Sequence, residues 1–109
     1  MAITSTQTMH QVRNVTVGRY LDTGTVAAFT ITLGYKPRYV RIQNLDGSGG
    51  VTVEYFEGMD DDSAWLQAIE GDGSLITSDG ITVSESGFTV GLNTDLVFTS
   101  EQLSWIAMG

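Results

Sequence analysis

The chain has no cysteine, one proline and one histidine among its 109 residues. Without cysteine there is no disulfide framework, no thiolate zinc site and no thiol nucleophile. A lone histidine, His10, excludes any triad, metal cluster or proton relay that needs two imidazoles from one chain. No apolar run approaches the roughly 20 residues of a membrane-spanning helix. The opening segment, MAITSTQTMHQVRN, holds neither an apolar core of signal-peptide length nor an early positive charge, so no secretory signal is expected. Basic residues are also scarce: five stand against 13 acids, for a net charge of −8. That balance argues against nucleic acid as the main partner, because phosphate would be repelled, and it favours solubility.

The few cations are unevenly placed. Arg13, Arg19, Lys36, Arg38 and Arg41 all precede residue 42, and Asp22 is the only acid before residue 46. The first 45 residues therefore carry +4 and the remainder, with twelve acids and no cation, −12. Two readings follow. The halves interleave and neutralise each other, or the domain is dipolar, with a basic contact face and an acidic, solvated one.

What the sequence does contain is period-two alternation broken by glycine. In FTITLGYKPRYVRIQNLDGSGGVTVEYFEG, residues 29–58, three alternating runs are separated by two turn segments. Phe29, Ile31 and Leu33 share one side; Val40 and Ile42 oppose Tyr39, Arg41 and Gln43; Val51, Val53 and Tyr55 oppose Thr52, Glu54 and Phe56. Such alternation marks half-buried antiparallel strands, and Gly and Pro supply the turns. Further strands are expected at 12–20, 25–33, 75–77, 81–83, 88–90, 96–99 and 103–108. Residues 64–70 fit a strand or a short helix capped by Ser63; strand is preferred because every other element is β. Leu103, Trp105 and Ala107 share one face and Ile106 and Met108 the other, which suggests a central strand or one that meets a neighbour.

The expected fold is therefore all-β: a single-domain antiparallel β-sandwich or jelly roll over residues 12–109, preceded by a short extended arm at 1–11. At this length the chain is one domain that buries about two-thirds of its unfolded surface. The Thr- and Gln-rich arm reads as a frayed terminus or as a segment that adds a strand to a neighbouring subunit; the second is preferred.

No catalytic constellation appears. Carboxylate pairs are abundant, but any acidic β domain offers them by chance. Asp60, Asp61 and Asp62 are oxygen donors of the kind calcium takes, yet their spacing is not that of an EF-hand, and a solvated loop is the simpler reading. The aromatic residues say more. Phe29, Tyr55, Phe88, Phe98 and Trp105 read as core. Tyr35, Tyr39, Phe56 and Trp65 fall at turns or on the polar side of their strands, as protein-interface anchors or sugar-stacking platforms do.

Three segments, GYKPRYVRIQNL at 34–45, GITVSESGFTVG at 80–91 and LSWIAMG at 103–109, together resemble small virion proteins of tailed bacteriophages. The resemblance is greatest to head decoration (cement) proteins of β-sandwich or jelly-roll type. Similar strand patterns occur in tail-tip and fibre modules that bind host-surface glycans or receptors. The resemblance implies a non-enzymatic role: dimers or trimers, made in the host cytoplasm, bind the outer head surface and clamp neighbouring major capsid subunits. It implies no cofactor, metal, nucleic acid or membrane. Phe88, Val90 and Trp105 would be framework residues, and Lys36, Pro37 and Arg38 would shape a turn. The interface residues expected on this reading are Ile3, Met9, Arg13, Tyr35, Lys36, Arg38, Tyr39, Arg41, Trp65, Ile106 and Met108.

Overall fold

A computed structural model of the chain describes residues 14–21, 28–44, 51–68, 71, 73–91 and 102–109. The expected arm at 1–11 and the strand expected at 96–99 lie outside these residues, as do Ile3, Met9, Arg13 and Phe98. Eight strands are described: β1 Val15–Leu21, β2 Phe29–Thr32, β3 Tyr39–Asn44, β4 Thr52–Phe56, β5 Ser63–Gln67, β6 Gly73–Ser84, β7 Gly87–Val90 and β8 Gln102–Met108. All pairings are antiparallel, and they join the strands into one sheet of order β1-β8-β3-β4-β5-β6-β7-β2. The segment at 64–70 is thus a strand as far as Gln67, and Ser63 caps no helix. Its hydroxyl donates instead to the Asp60 carbonyl at 2.6 Å, closing the turn before β5. β8 lies between β1 and β3, the interior position that its two apolar faces suggested.

The sheet curls into a half-barrel with its core on the concave side. Val40 and Ile42 of β3, Val53 and Tyr55 of β4, Ala64 of β5, Ile81 of β6, Phe88 and Val90 of β7, and Leu103 and Ala107 of β8 are buried there together. Across this core Phe88 meets Trp105 edge to face, ring centroids 5.6 Å apart. The two outermost strands meet as well: Tyr20 of β1 stacks on Phe29 of β2.

The one register shift among the described pairings falls in β6, against β5. Two short strands around a turn at 78–80 were expected; the structure has one twelve-residue strand with an interruption. Its first part pairs with β5 up to Ala64–Ile76, and the next pair is Ser63–Ile81, so residues 77–80 form a bulge with no opposite number in β5. Asp79 takes a left-handed conformation there, φ 53°. Three backbone hydrogen bonds pin the bulge: Gly80 N–H to Asp62 C=O at 2.9 Å, Asp62 N–H to Ile81 C=O at 3.1 Å, and Gly91 N–H to Gly80 C=O at 2.7 Å. The Gly91 backbone passes so close that a Cβ on it would lie 2.2 Å from the Asp79 carbonyl oxygen. Beyond the bulge β6 pairs with β7. A bulge that lets one strand exchange partners turns the corner of a sheet.

Candidate functional site

Outside the β6 bulge and the register shift at Ser63, the register assigns the paired strand residues to one face of the sheet or the other, because successive side chains alternate. On the convex face three cross-strand rows result. The first runs Val15–Met108–Tyr39–Phe56 across β1, β8, β3 and β4. The second runs Val17–Ile106–Arg41–Glu54–Trp65–Leu75, continuing into β5 and β6. The third runs Arg19–Ser104–Gln43–Thr52–Gln67–Gly73 and is polar throughout. Among the described residues the exposed large hydrophobics are Val15 (59%), Val17 (71%), Phe56 (50%), Trp65 (39%) and Leu75 (59%), and all five stand in the first two rows. Apolar groups are thus gathered into a band about six strands wide, with a polar row along one side. Scattered exposed hydrophobics are ordinary; a contiguous band on one face marks a contact surface.

The band is locally ordered. Tyr39 packs against Phe56, centroids 5.2 Å apart, and donates its hydroxyl to Glu54 Oε2 at 2.6 Å. Burial, the hydrogen bond to Glu54 and the Glu54 charge together push the Tyr39 phenol up to about 12, against a smaller opposing influence of Arg41. Trp65 leans over Gly73: a Cβ at that glycine would lie 2.4 Å from the indole. The aromatic ring covers the backbone that glycine leaves bare, while part of its surface stays open to solvent.

One pair of opposite charges, Arg41 beside Glu54, interrupts the second row, and Arg19 stands in the polar third row. The other described acids, Glu57, Asp60, Asp61, Asp62, Asp79 and Glu85, sit in turns or in the β6 bulge. Asp62 accepts a hydrogen bond from the Thr82 hydroxyl at 3.2 Å. No group of three or more acidic or histidine side chains converges to hold a metal ion among the described residues. The nearby Tyr55 phenol, on the inner side of β4, is pushed up by burial and by the charges of Asp61 and Glu57.

Of the expected interface residues, the structure brings Tyr39, Arg41, Trp65, Ile106 and Met108 together in the first two rows. It places three elsewhere. Tyr35 serves the fold: from the turn between β2 and β3 its hydroxyl reaches Thr16 Oγ1 at 2.8 Å and the Ala107 carbonyl at 3.1 Å. Lys36 lies 3.9 Å from Glu85, and Arg38 lies 3.3 Å from Glu57. These partly exposed pairs line a polar cleft of about 360 Å³ with Pro37 and Tyr55, away from the first two rows. Phe56, on the polar side of its run, was among the aromatic residues that the sequence places as interface anchors or sugar platforms; Val15, Val17 and Leu75 were not expected at an interface. The strands expected at 12–20 and 75–77 carried no assignment of faces, and cross-strand register puts Val15, Val17 and Leu75 on the convex side.

A second cavity, of about 270 Å³, is lined by Gly58, Met59, Asp60, Ser63, Leu75 and Thr77. Both cavities fall near or below the lower end of the range for small-molecule sites. Compared with protein-family models, with curated proteins and with solved structures, the chain finds no match.

Proposed function

We propose that this chain is a non-enzymatic structural protein of a tailed-phage virion, a decoration protein that docks its convex face on the outer head and clamps neighbouring major capsid subunits. The observation that carries the reading is the concentration of every exposed large hydrophobic among the described residues in two adjacent rows of one face. Covering five such side chains contributes on the order of 1 kcal/mol each. That suits a contact repeated many times over a lattice, where avidity compensates for modest single affinities. Apart from Glu54, the described acids lie in turns and in the β6 bulge, outside the two rows. The pairing of first strand with last and of second with seventh, together with the corner in β6, supports a jelly-roll-like sandwich as the finer description of the curled sheet.

A second reading draws on the partly exposed Trp65, flanked by Glu54 and Gln67: a tail-tip or fibre module that stacks a host-surface sugar on the indole. The convex setting of Trp65 favours a flat protein contact over a concave sugar pocket. Incubating the protein with expanded capsids, beside a glycan array, separates the two. Saturable binding at a fixed ratio to the major capsid protein, with a raised capsid melting temperature, supports decoration. Glycan binding abolished by Trp65→Ala, without capsid binding, overturns it.

A further inference from the structure

Both lateral edges of the sheet are open among the described residues, but they are not equivalent. The β2 edge is four residues long and exposes Thr30 and Thr32, a short polar edge of the kind that resists pairing. The β1 edge is seven residues long, VTVGRYL, and pairs with β8 without a register break. It contains no proline and no bulge, and Arg19 is its one charged residue, so few of the usual devices blunt it.

The polarity of that edge can be read from its hydrogen bonds. Asn14 and Gly109 exchange both backbone hydrogen bonds, each 2.9 Å long. In an antiparallel ladder bonded and non-bonded pairs alternate, so Thr16, Gly18 and Tyr20 also direct their backbone groups to β8. Val15, Val17 and Arg19 direct theirs to the open side. They are also the residues whose side chains end the three convex rows. Val17, the most exposed of the large hydrophobics, stands at the rim where the band stops.

We propose that the occupant of this edge is β1 of a second copy, paired antiparallel about a two-fold axis through Val17. Val17 then faces Val17 of the other copy, and Val15 faces Arg19. About six backbone hydrogen bonds form, two at each of three bonded pairs. The second convex row continues unbroken from one subunit into the next, which doubles the apolar band. The register also keeps like charges apart. The two Arg19 residues are offset by four positions, roughly 14 Å, beyond the Debye length of about 8 Å at physiological salt. An axis through Arg19 would place them directly opposite each other. An edge strand is complementary to its own copy, so the contact is isologous and closes as a dimer. This deepens the oligomeric part of the proposed function, and it is tested without capsids so that the two can fail separately.

The absence of native cysteine makes the test direct. A Val17→Cys variant carries one thiol per chain, and bonded partners lie about 5.5 Å apart at Cα, within disulfide reach. In Val15→Cys the two thiols lie roughly 14 Å apart and out of reach. Under mild oxidation the Val17→Cys protein is expected to give at least about tenfold more covalent dimer than Val15→Cys. Equal crosslinking of both variants, or none of either, overturns the proposal. The second result includes the case in which residues 1–13 of the same chain occupy the edge. Sedimentation of the unmodified protein at about 100 μM provides an independent arm. A dimer that Val17→Lys converts to monomer, with circular dichroism unchanged, is the expected result, and a wild-type monomer contradicts the pairing.

Discussion

The ring of Tyr20 lies flat on that of Phe29, centroids 4.2 Å apart and planes 7° apart. The two residues belong to strands at opposite ends of the eight-stranded order. This one stack joins the ends of the sheet through side chains, where no described backbone pairing does. With the buried core and the Phe88–Trp105 contact, it holds the curl that gives the domain a concave core and a convex outer face.

That stack should therefore contribute more than its area. Phe29 is 8% exposed, and Phe29→Ala is expected to cost about 3 kcal/mol of unfolding free energy. Tyr20→Ala should couple to it, with an interaction energy of roughly 1 kcal/mol in a double-mutant cycle by denaturant unfolding. Strict additivity would mean that the ends are held by something else.

Two glycines lie beneath tryptophan rings, and they should respond differently to a methyl group. At Gly18 a Cβ would lie 2.4 Å from the Trp105 ring, on the concave side where that indole packs against Phe88. Gly18→Ala should destabilise by about 1–3 kcal/mol, since the indole has little room to move. At Gly73 the overlying Trp65 is 39% exposed and can swing outward. Gly73→Ala should cost less and shift the Trp65 emission to the red. Unfolding curves and fluorescence of the two variants, compared side by side, check this.

The Tyr39 phenol offers a titration with a definite sign. Its folded value of about 12 stands above the ordinary 10.0. The folded state thus holds the proton more tightly than the unfolded chain. The associated stability is fully present below about pH 10 and is lost as pH rises toward 12. Ultraviolet difference titration should show Tyr39 ionising late, together with Tyr55, whose phenol is also pushed up. Glu54→Gln, which removes the carboxylate charge beside the Tyr39 phenol, should bring the Tyr39 midpoint down part of the way, because burial remains. An unchanged midpoint in Glu54→Gln would contradict this assignment.

The ion pairs Lys36–Glu85 and Arg38–Glu57 are partly exposed and should matter little. Glu85→Gln is expected to change stability by no more than about 0.5 kcal/mol. A loss of several kcal/mol in thermal unfolding would show that the turn between β2 and β3 depends on charge rather than on the Tyr35 hydrogen bonds.

Much of the fold was legible because alternation states directly which residues point inward. Val40, Ile42, Val53 and Tyr55 were read as one face, and they are buried together. Register was not legible. It depends on which strands become neighbours, and the path from β2 at one end of the sheet to β3 near the other has no local signature. The β6 corner was missed for a related reason. Ser78, Asp79 and Gly80 carry turn chemistry, but they form a bulge pinned by Asp62 and Gly91, both distant in sequence. The candidate face was half legible. Aromatic residues on polar sides of strands pointed to Tyr39, Phe56 and Trp65. The valines of β1 gave no sign, because alternation alone does not say which face of an edge strand is covered.

The most direct test of the account is a binding isotherm on expanded capsids for three proteins: wild type, the convex-face variant Val17→Ser/Phe56→Ser/Leu75→Ser, and Tyr35→Phe from the other side of the sheet. The account predicts saturation for wild type and for Tyr35→Phe. It predicts a loss of at least about tenfold in affinity for the triple variant, since three covered apolar side chains contribute on the order of 1 kcal/mol each. A folded triple variant that binds as tightly as wild type would contradict the assignment of the convex face, and a wild type that does not bind capsids would contradict the proposed function itself.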